Sequence, residues 1–233
     1  MVDLNAEMTD LWTSLGAPAP GRARVVQFVS ARRGEGASTI AREFARFAAR
    51  RAGRSVWLVD LDLFSSGQHE AIAADPGTYG ALGKPVTASP DGSSFFTVQP
   101  PTPMPDGSTA PDARFLVAHA VGGQGWWVTR FRSEVLRGGQ GVHVLPSGDY
   151  WNALRRHADI IVVDSPSADR SQAALTVAPF MDQTVLVVAA DQPDVAAPAR
   201  LRDAVTGAGG RVAGVFFNRA RVKTPGFLKA FLP

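Results

Sequence analysis

The sequence predicts an α/β fold: a three-layer domain with a mostly parallel sheet covered by helices on both faces. Three observations carry this expectation. Short apolar runs such as Asp159-Ile-Ile-Val-Val-Asp164 read as strands buried on both faces. They alternate with stretches whose apolar residues recur at helical spacing. Strands and helices in that order imply crossover connections, and therefore parallel pairing. The 233 residues suit one such domain, and 45% hydrophobic against 19% charged content is enough to bury a core.

Taken in order, Leu4, Met8, Leu11, Trp12 and Leu15 mark a short amphipathic helix. Ala17-Pro-Ala-Pro-Gly21 reads as a linker, so residues 1–21 are an N-terminal helix and linker, the helix packing on the domain or on a partner, ahead of an α/β domain over 22–233. Arg24–Ser30 is the first strand and Ala31–Gly36 a glycine-containing loop. The next helix carries Ile40, Phe44 and Phe47 on one face. Arg42, Glu43, Arg46 and Arg50 are expected on the other, solvated face, with Gly53 as a C-cap. Ser55–Asp60 is the second strand.

Residues 74–112 are rich in Pro, Gly, Ser and Thr and read as a mobile loop. Phe115–Val121, a glycine turn and Trp126–Phe131 read as a hairpin with Trp126 and Trp127 on opposite faces. Residues 142–148 are a short strand and turn, so 74–148 form a loop and hairpin insertion between the second and third core strands. Regular order resumes with helices at 150–157, 169–180 and 194–207, strands at 159–164, 184–189 and 211–218, and a tail helix.

Several function classes are disfavoured. Cysteine is absent, so there is no disulfide framework and no thiolate metal site. The four histidines lack metal-ligand spacing. The net charge of +3 comes with no basic stripe, and no nucleic-acid partner is expected. The N-terminus lacks an apolar signal core, and no apolar run approaches the roughly 20 residues of a membrane span. A cytoplasmic protein is expected, with any link to the inner membrane made through a partner.

The chemistry concentrates at strand ends. Ser30-Ala-Arg-Arg-Gly34-Glu-Gly36-Ala37-Ser38-Thr39 joins a strand to a helix. Such a loop can wrap phosphates with backbone N–H groups, backed by the partial positive charge of the helix N-terminus. The full phosphate-loop pattern is GxxxxGK[ST]. Here Ala31 stands in the first glycine slot and Ala37 in the lysine slot. The loop alone is equally readable as a tight turn without a ligand. Asp60 and Asp62 end the second strand, and Asp164, followed by Ser165-Pro166, ends a later one. Ligands of open α/β sheets sit outside the carboxyl ends of strands, so these segments point to one crevice, with strand-end carboxylates as natural Mg²⁺ partners.

The series SxxxGEGxST at 30–39, VDLDL at 59–63, DIIVVDSP at 159–166 and GVFFNR at 214–219 resembles the bacterial tyrosine kinase family. These are P-loop ATPases of capsule and exopolysaccharide assembly, related to septum-positioning and plasmid-partition ATPases. The match covers roughly residues 22–72 and 142–232, and the holdfast and exopolysaccharide synthesis members are most similar. The resemblance implies a P-loop NTPase-like domain using ATP or ADP and Mg²⁺. Gly34, Glu35, Gly36, Ala37, Ser38 and Thr39 would form the phosphate loop. Ser38 and Asp164 would hold the metal, Asp60 and Asp62 would act at the catalytic centre, and Asn218 would read the adenine edge. A membrane-embedded polysaccharide co-polymerase would be the partner.

Three departures qualify it. Ala37 removes a cation worth about 4 kcal/mol at about 4 Å and an effective dielectric near 20, before desolvation. Residues 221–233 lack the tyrosine cluster of the kinases, and the whole chain has two tyrosines, Tyr79 and Tyr150. Glu7, Asp10 and Thr13 do not make the glutamate-arginine-arginine ladder of the ring-forming kinases, so a ring is not expected, although a homo-oligomer stays open. Three readings follow: a degenerate regulator of exopolysaccharide synthesis; an active ATPase or tyrosine kinase using Arg32 or Arg33 for the lysine; and a nucleotide-independent adaptor working through its insertion.

Overall fold

The computed structural model describes residues 4–16, 21–123, 125–191 and 194–220. The expected tail helix lies outside these. Helix α1 spans Asn5–Leu15, β1 Arg24–Ser30, α2 Ala37–Ala49 and β2 Val56–Asp60. Then come α3 (Gly67–Ala74), α4 (Pro76–Tyr79), β3 (Val86–Thr87), β4 (Phe96–Gln99), β5 (Leu116–Val121), β6 (Trp126–Phe131) and β7 (Gly141–Val144). The chain continues through α5 (Asp149–Arg155), β8 (Ile160–Asp164), α6 (Ala173–Val177), β9 (Gln183–Ala189), α7 (Ala197–Gly207) and β10 (Val212–Asn218).

Eight strands form one sheet in the order β10-β9-β1-β8-β2-β6-β5-β3. The pairs from β10 through to β6 are parallel, and β5 and β3 extend the sheet antiparallel. Side chains alternate between the two faces, as the pleat requires. On one face Val26, Phe28, Leu58 and Val162 pack under Ile40 and Phe44 of α2. On the other, Val25, Val59, Ile161 and Val163 pack with Trp151 and Leu154 of α5 and with Phe95 and Phe96. The P-loop-type α/β architecture expected from the sequence is the architecture found.

Helix α1 is part of this domain. Its Met8 and Leu15 are buried, and Trp12 lies 6.1 Å from both Phe44 and Phe47 of α2. The Arg24 guanidinium donates to the carbonyls of Leu15 and Gly16 and ties the end of α1 to the start of β1.

The insertion differs from expectation. The hairpin forms, but β6 also pairs in parallel with β2, matching Trp57 with Trp127 and Leu58 with Val128. It therefore widens the main sheet instead of standing apart. Trp126 joins the core on the α2 side, while Trp127 stacks on Trp57 at 5.6 Å on the other. Residues 74–112, expected as a mobile loop, contain α4, β3 and β4 and bury Phe95 and Phe96 completely. Their Pro and Gly content hid a few deeply anchored aromatic residues. Two smaller expectations also fail. Helix α2 ends at Ala49 and is capped at Arg50; Gly53 instead donates its N–H to Asp159. Arg42, Glu43 and Arg46 are not on a solvated face: Glu43 is buried and both arginines are half-buried, because neighbouring elements cover that side of α2.

Candidate phosphate-binding site

Strands β1, β8 and β2 are in register at their carboxyl ends. Phe28 lies opposite Asp164, and Asp164 opposite Asp60. A cavity of about 320 Å³ opens above these ends. Its lining includes Gly34, Gly36, Ala37, Ser38 and Thr39 of the loop and first turn of α2, the carboxylates Asp60, Asp62 and Asp164, and the arginines 33, 170 and 219. A somewhat larger groove of about 400 Å³ runs between α1 and β10, but its lining has Glu7 and Asp10 and no cation, which unsuits it to phosphate.

The loop adopts the conformation its glycines allow. Gly34 and Gly36 have φ of +88° and +97°, which L-residues rarely adopt. Gly36 is also the N-cap of α2, and a Cβ there would meet Asn218 Nδ2 at 2.1 Å. Glu35 turns inward and supports the loop: Oε2 accepts from the Arg32 N–H at 2.8 Å, and Oε1 from the Ala189 N–H at 3.4 Å. Asn218 donates to the Glu35 carbonyl at 2.9 Å, and Arg219 to the Gly34 carbonyl at 2.6 Å. The end of β10 therefore fixes the loop from behind. Ser38 and Thr39 remain exposed at the first turn of α2, whose dipole favours an anion.

Gln68 links the carboxylates to this loop. It is fully buried at the start of α3. Its Nε2 donates to Asp164 Oδ2 at 2.6 Å and to the Ser38 carbonyl at 2.8 Å, and its Oε1 accepts from Arg42 at 2.9 Å. Asp60 accepts from the Gln68 N–H at 3.1 Å and the Asp62 N–H at 2.9 Å. Asp164 Oδ1 is buried with no partner among the described residues. Burial, followed by the neighbouring Asp164 charge, pushes the Asp60 pKa well above the usual carboxylate range. Burial likewise pushes Asp164 up to about 6, against hydrogen bonds from Gln68 and Ser38 and the charge of Arg42. Two buried carboxylates that resist ionising together are a ready seat for a hard cation, which relieves both. The fit to a Mg²⁺–phosphate group is good: a backbone nest, a helix N-terminus, a serine hydroxyl and an under-used carboxylate oxygen share one cavity.

The arginines are distributed differently from expectation. Arg32 does not line the cavity. Its guanidinium pairs with Asp194 at 2.6 Å, where Arg200 also binds at 2.8 Å. That pairing holds the Asp194 carboxyl down to about 2. The cavity takes its positive charge from Arg33, from Arg170, which pairs with Asp62 at 3.0 Å, and from Arg219, which lies 3.6 Å from Asp191. Asn218 sits against the back of the phosphate loop. Tyr79 is buried, donating its hydroxyl to Glu43 at 2.8 Å and accepting from Arg42 at 3.2 Å.

Sequence reasoning assigned no role to Gln68, Arg170 or Arg219. Gln68 follows Asp60 by eight residues and opens a short helix, a position where a glutamine is ordinarily exposed.

No protein-family model matches the chain, and no curated protein sequence matches it. Solved structures share its fold. The kinase domain of the Escherichia coli tyrosine kinase ETK superposes with a TM-score of 0.61 at 14% identity, covering 95% of this chain and 76% of that one. The BceF tyrosine kinase domain gives 0.51 at 19% identity, covering 92% and 74%. The cobyrinic acid a,c-diamide synthase of Mycobacterium smegmatis, with bound ADP and magnesium, gives 0.55 at 13% identity, covering 90% and 79%. The chain thus has the fold of bacterial tyrosine kinase domains and of P-loop nucleotide-binding enzymes.

Proposed function

We propose that this chain is a degenerate P-loop regulator of exopolysaccharide or holdfast polysaccharide synthesis that binds ATP or ADP with Mg²⁺ and turns it over weakly or not at all. The observation that carries the reading is the buried Asp164 Oδ1, without a hydrogen-bond partner among the described residues, in the same cavity as the Gly34–Thr39 nest. Backbone N–H groups of that nest would hold the phosphates, with Ser38 and Asp164 on the metal and Asp60 and Asp62 beside them. Bound Mg²⁺ would neutralise phosphate charge. Loss of hydrolysis follows from Ala37, which is buried at the first turn of α2 where the lysine of the full motif would reach the phosphates. The fold of ETK and BceF, both tyrosine kinases, supports a regulator of kinase type. No helix among the described residues is long and apolar enough to cross a membrane. Docking on a membrane-embedded co-polymerase would bring the chain to the inner membrane.

A second reading, an active ATPase or kinase, is favoured by the arginines that line the cavity. Phosphate release by the wild-type chain and by Ala37→Lys separates the two. A degenerate site predicts wild-type turnover no higher than that of Asp164→Asn, with a gain on restoring the lysine. Wild-type turnover that collapses in Asp164→Asn favours the active reading. For the partner, retention of the chain on membranes only when the co-polymerase is present supports the docking, and equal retention without it refutes it.

A further inference from the structure

We propose that Arg170 is the phosphate-contacting cation of this site, held on Asp62 until a nucleotide arrives and then exchanged onto the phosphates. This rests on the nucleotide reading above and names the residue that replaces the missing lysine charge. Three arginines line the cavity, and they are not equivalent. Arg219 already donates to the Gly34 carbonyl at 2.6 Å, so moving it would dismantle the loop it supports. Arg33 extends from the loop itself, with its N–H on Asp169 at 3.2 Å. Arg170 comes from the segment following Asp164, and the hydrogen bond described for its guanidinium is to Asp62 at 3.0 Å. Both side chains of that pair keep solvent access, 43% for Arg170 and 25% for Asp62, so the exchange needs no core rearrangement. Phosphate outcompetes a single carboxylate contact because it offers a guanidinium several charged acceptors. Asp62 is released by the same step, and its carboxylate would be available to a bound Mg²⁺. Arg32, one of the two loop arginines considered from the sequence as a substitute, is held by Asp194 outside the cavity.

Calorimetric titration of ATP and ADP into the full chain tests this, using Arg170→Ala, Arg170→Lys, Asp62→Asn and the Asp62→Asn/Arg170→Ala double variant. Arg170→Ala is expected to weaken ATP binding roughly tenfold and ADP binding less, with Arg170→Lys recovering part of the loss. In the absence of Mg²⁺, Asp62→Asn is expected to tighten ATP binding by freeing Arg170, a gain that the double variant loses. A merely structural pair would weaken ATP binding in both single variants alike. ATP binding by Arg170→Ala equal to wild type overturns the inference while leaving the nucleotide reading intact. A wild-type chain that binds neither nucleotide at millimolar concentration overturns both.

Discussion

Gln68 Nε2 donates to Asp164 Oδ2 at 2.6 Å, and the same nitrogen reaches the Ser38 carbonyl at 2.8 Å. One buried amide thus connects a strand-end carboxylate to the first turn of the helix that follows the phosphate loop. Three elements distant in sequence are held in one geometry by it.

Replacing Gln68 with Leu removes that link at nearly constant volume. The substitution removes the donor to buried Asp164 and one partner each from the Ser38 carbonyl and from half-buried Arg42, which keeps its bond to Tyr79. A loss of about 2–4 kcal/mol in urea unfolding at pH 7.5 is expected. The deficit should shrink below pH 6, where Asp164 takes up a proton and needs the donor less. A change under about 0.5 kcal/mol would show that the amide is not a structural hub.

The raised pKa values of Asp60 and Asp164 have a definite sign. Burial pushes Asp164 up to about 6, above the ordinary carboxylate range, so the folded protein holds more protons than the unfolded chain in that window. Stability therefore falls as pH rises through that window and stays lower above it. Asp164→Asn removes the cost of ionisation and should stabilise the chain at pH 7.5 by on the order of 2 kcal/mol, a few degrees in Tm. The advantage should vanish near pH 4. Thermal melts across this range check it; a variant less stable than wild type at pH 7.5 contradicts the assignment.

Gly36 is constrained twice, by φ of +97° and by Asn218 Nδ2 at 2.1 Å from a Cβ position. Gly36→Ala should destabilise the chain by about 2 kcal/mol or more. Adding Asn218→Ala should recover part of that loss, because it removes the clash but not the backbone strain. Denaturation of the double variant equal to that of the single one would separate Asn218 from the loop.

Phe95 is fully buried, stacked on Trp151 at 5.3 Å and edge-on to Tyr150 at 4.9 Å. Phe95→Ala should cost about 3–5 kcal/mol in global unfolding. A loss confined to local protease sensitivity at 74–112 would restore the view of that segment as a separable loop.

Much of the architecture was legible because buried parallel strands leave continuous apolar runs. The 159–164 run and the carboxylates ending it are examples, and the register that aligns Asp60 with Asp164 follows from their equivalent strand-end positions. The insertion was less legible. Proline and glycine signal turns locally, whereas the burial of Phe95 and the parallel pairing of β6 with β2 depend on contacts far along the chain. The arginines were least legible of all. Arg32 and Arg33 are neighbours in sequence, yet the first pairs with Asp194 while the second lines the cavity, and Arg170 lies more than a hundred residues away. Long flexible side chains are assigned by the partners that tertiary structure supplies, and spacing does not encode those.

The central claim is that the Gly34–Thr39 nest and Asp164 together bind a Mg²⁺–nucleotide. Calorimetric titration of ADP into wild type and Asp164→Asn, each with Mg²⁺ and with chelator, tests it most directly. Wild-type binding that Mg²⁺ strengthens is expected, together with an Asp164→Asn variant that has lost the Mg²⁺ dependence. Wild-type affinity unaffected by Mg²⁺, or identical Mg²⁺ dependence in the variant, would contradict it.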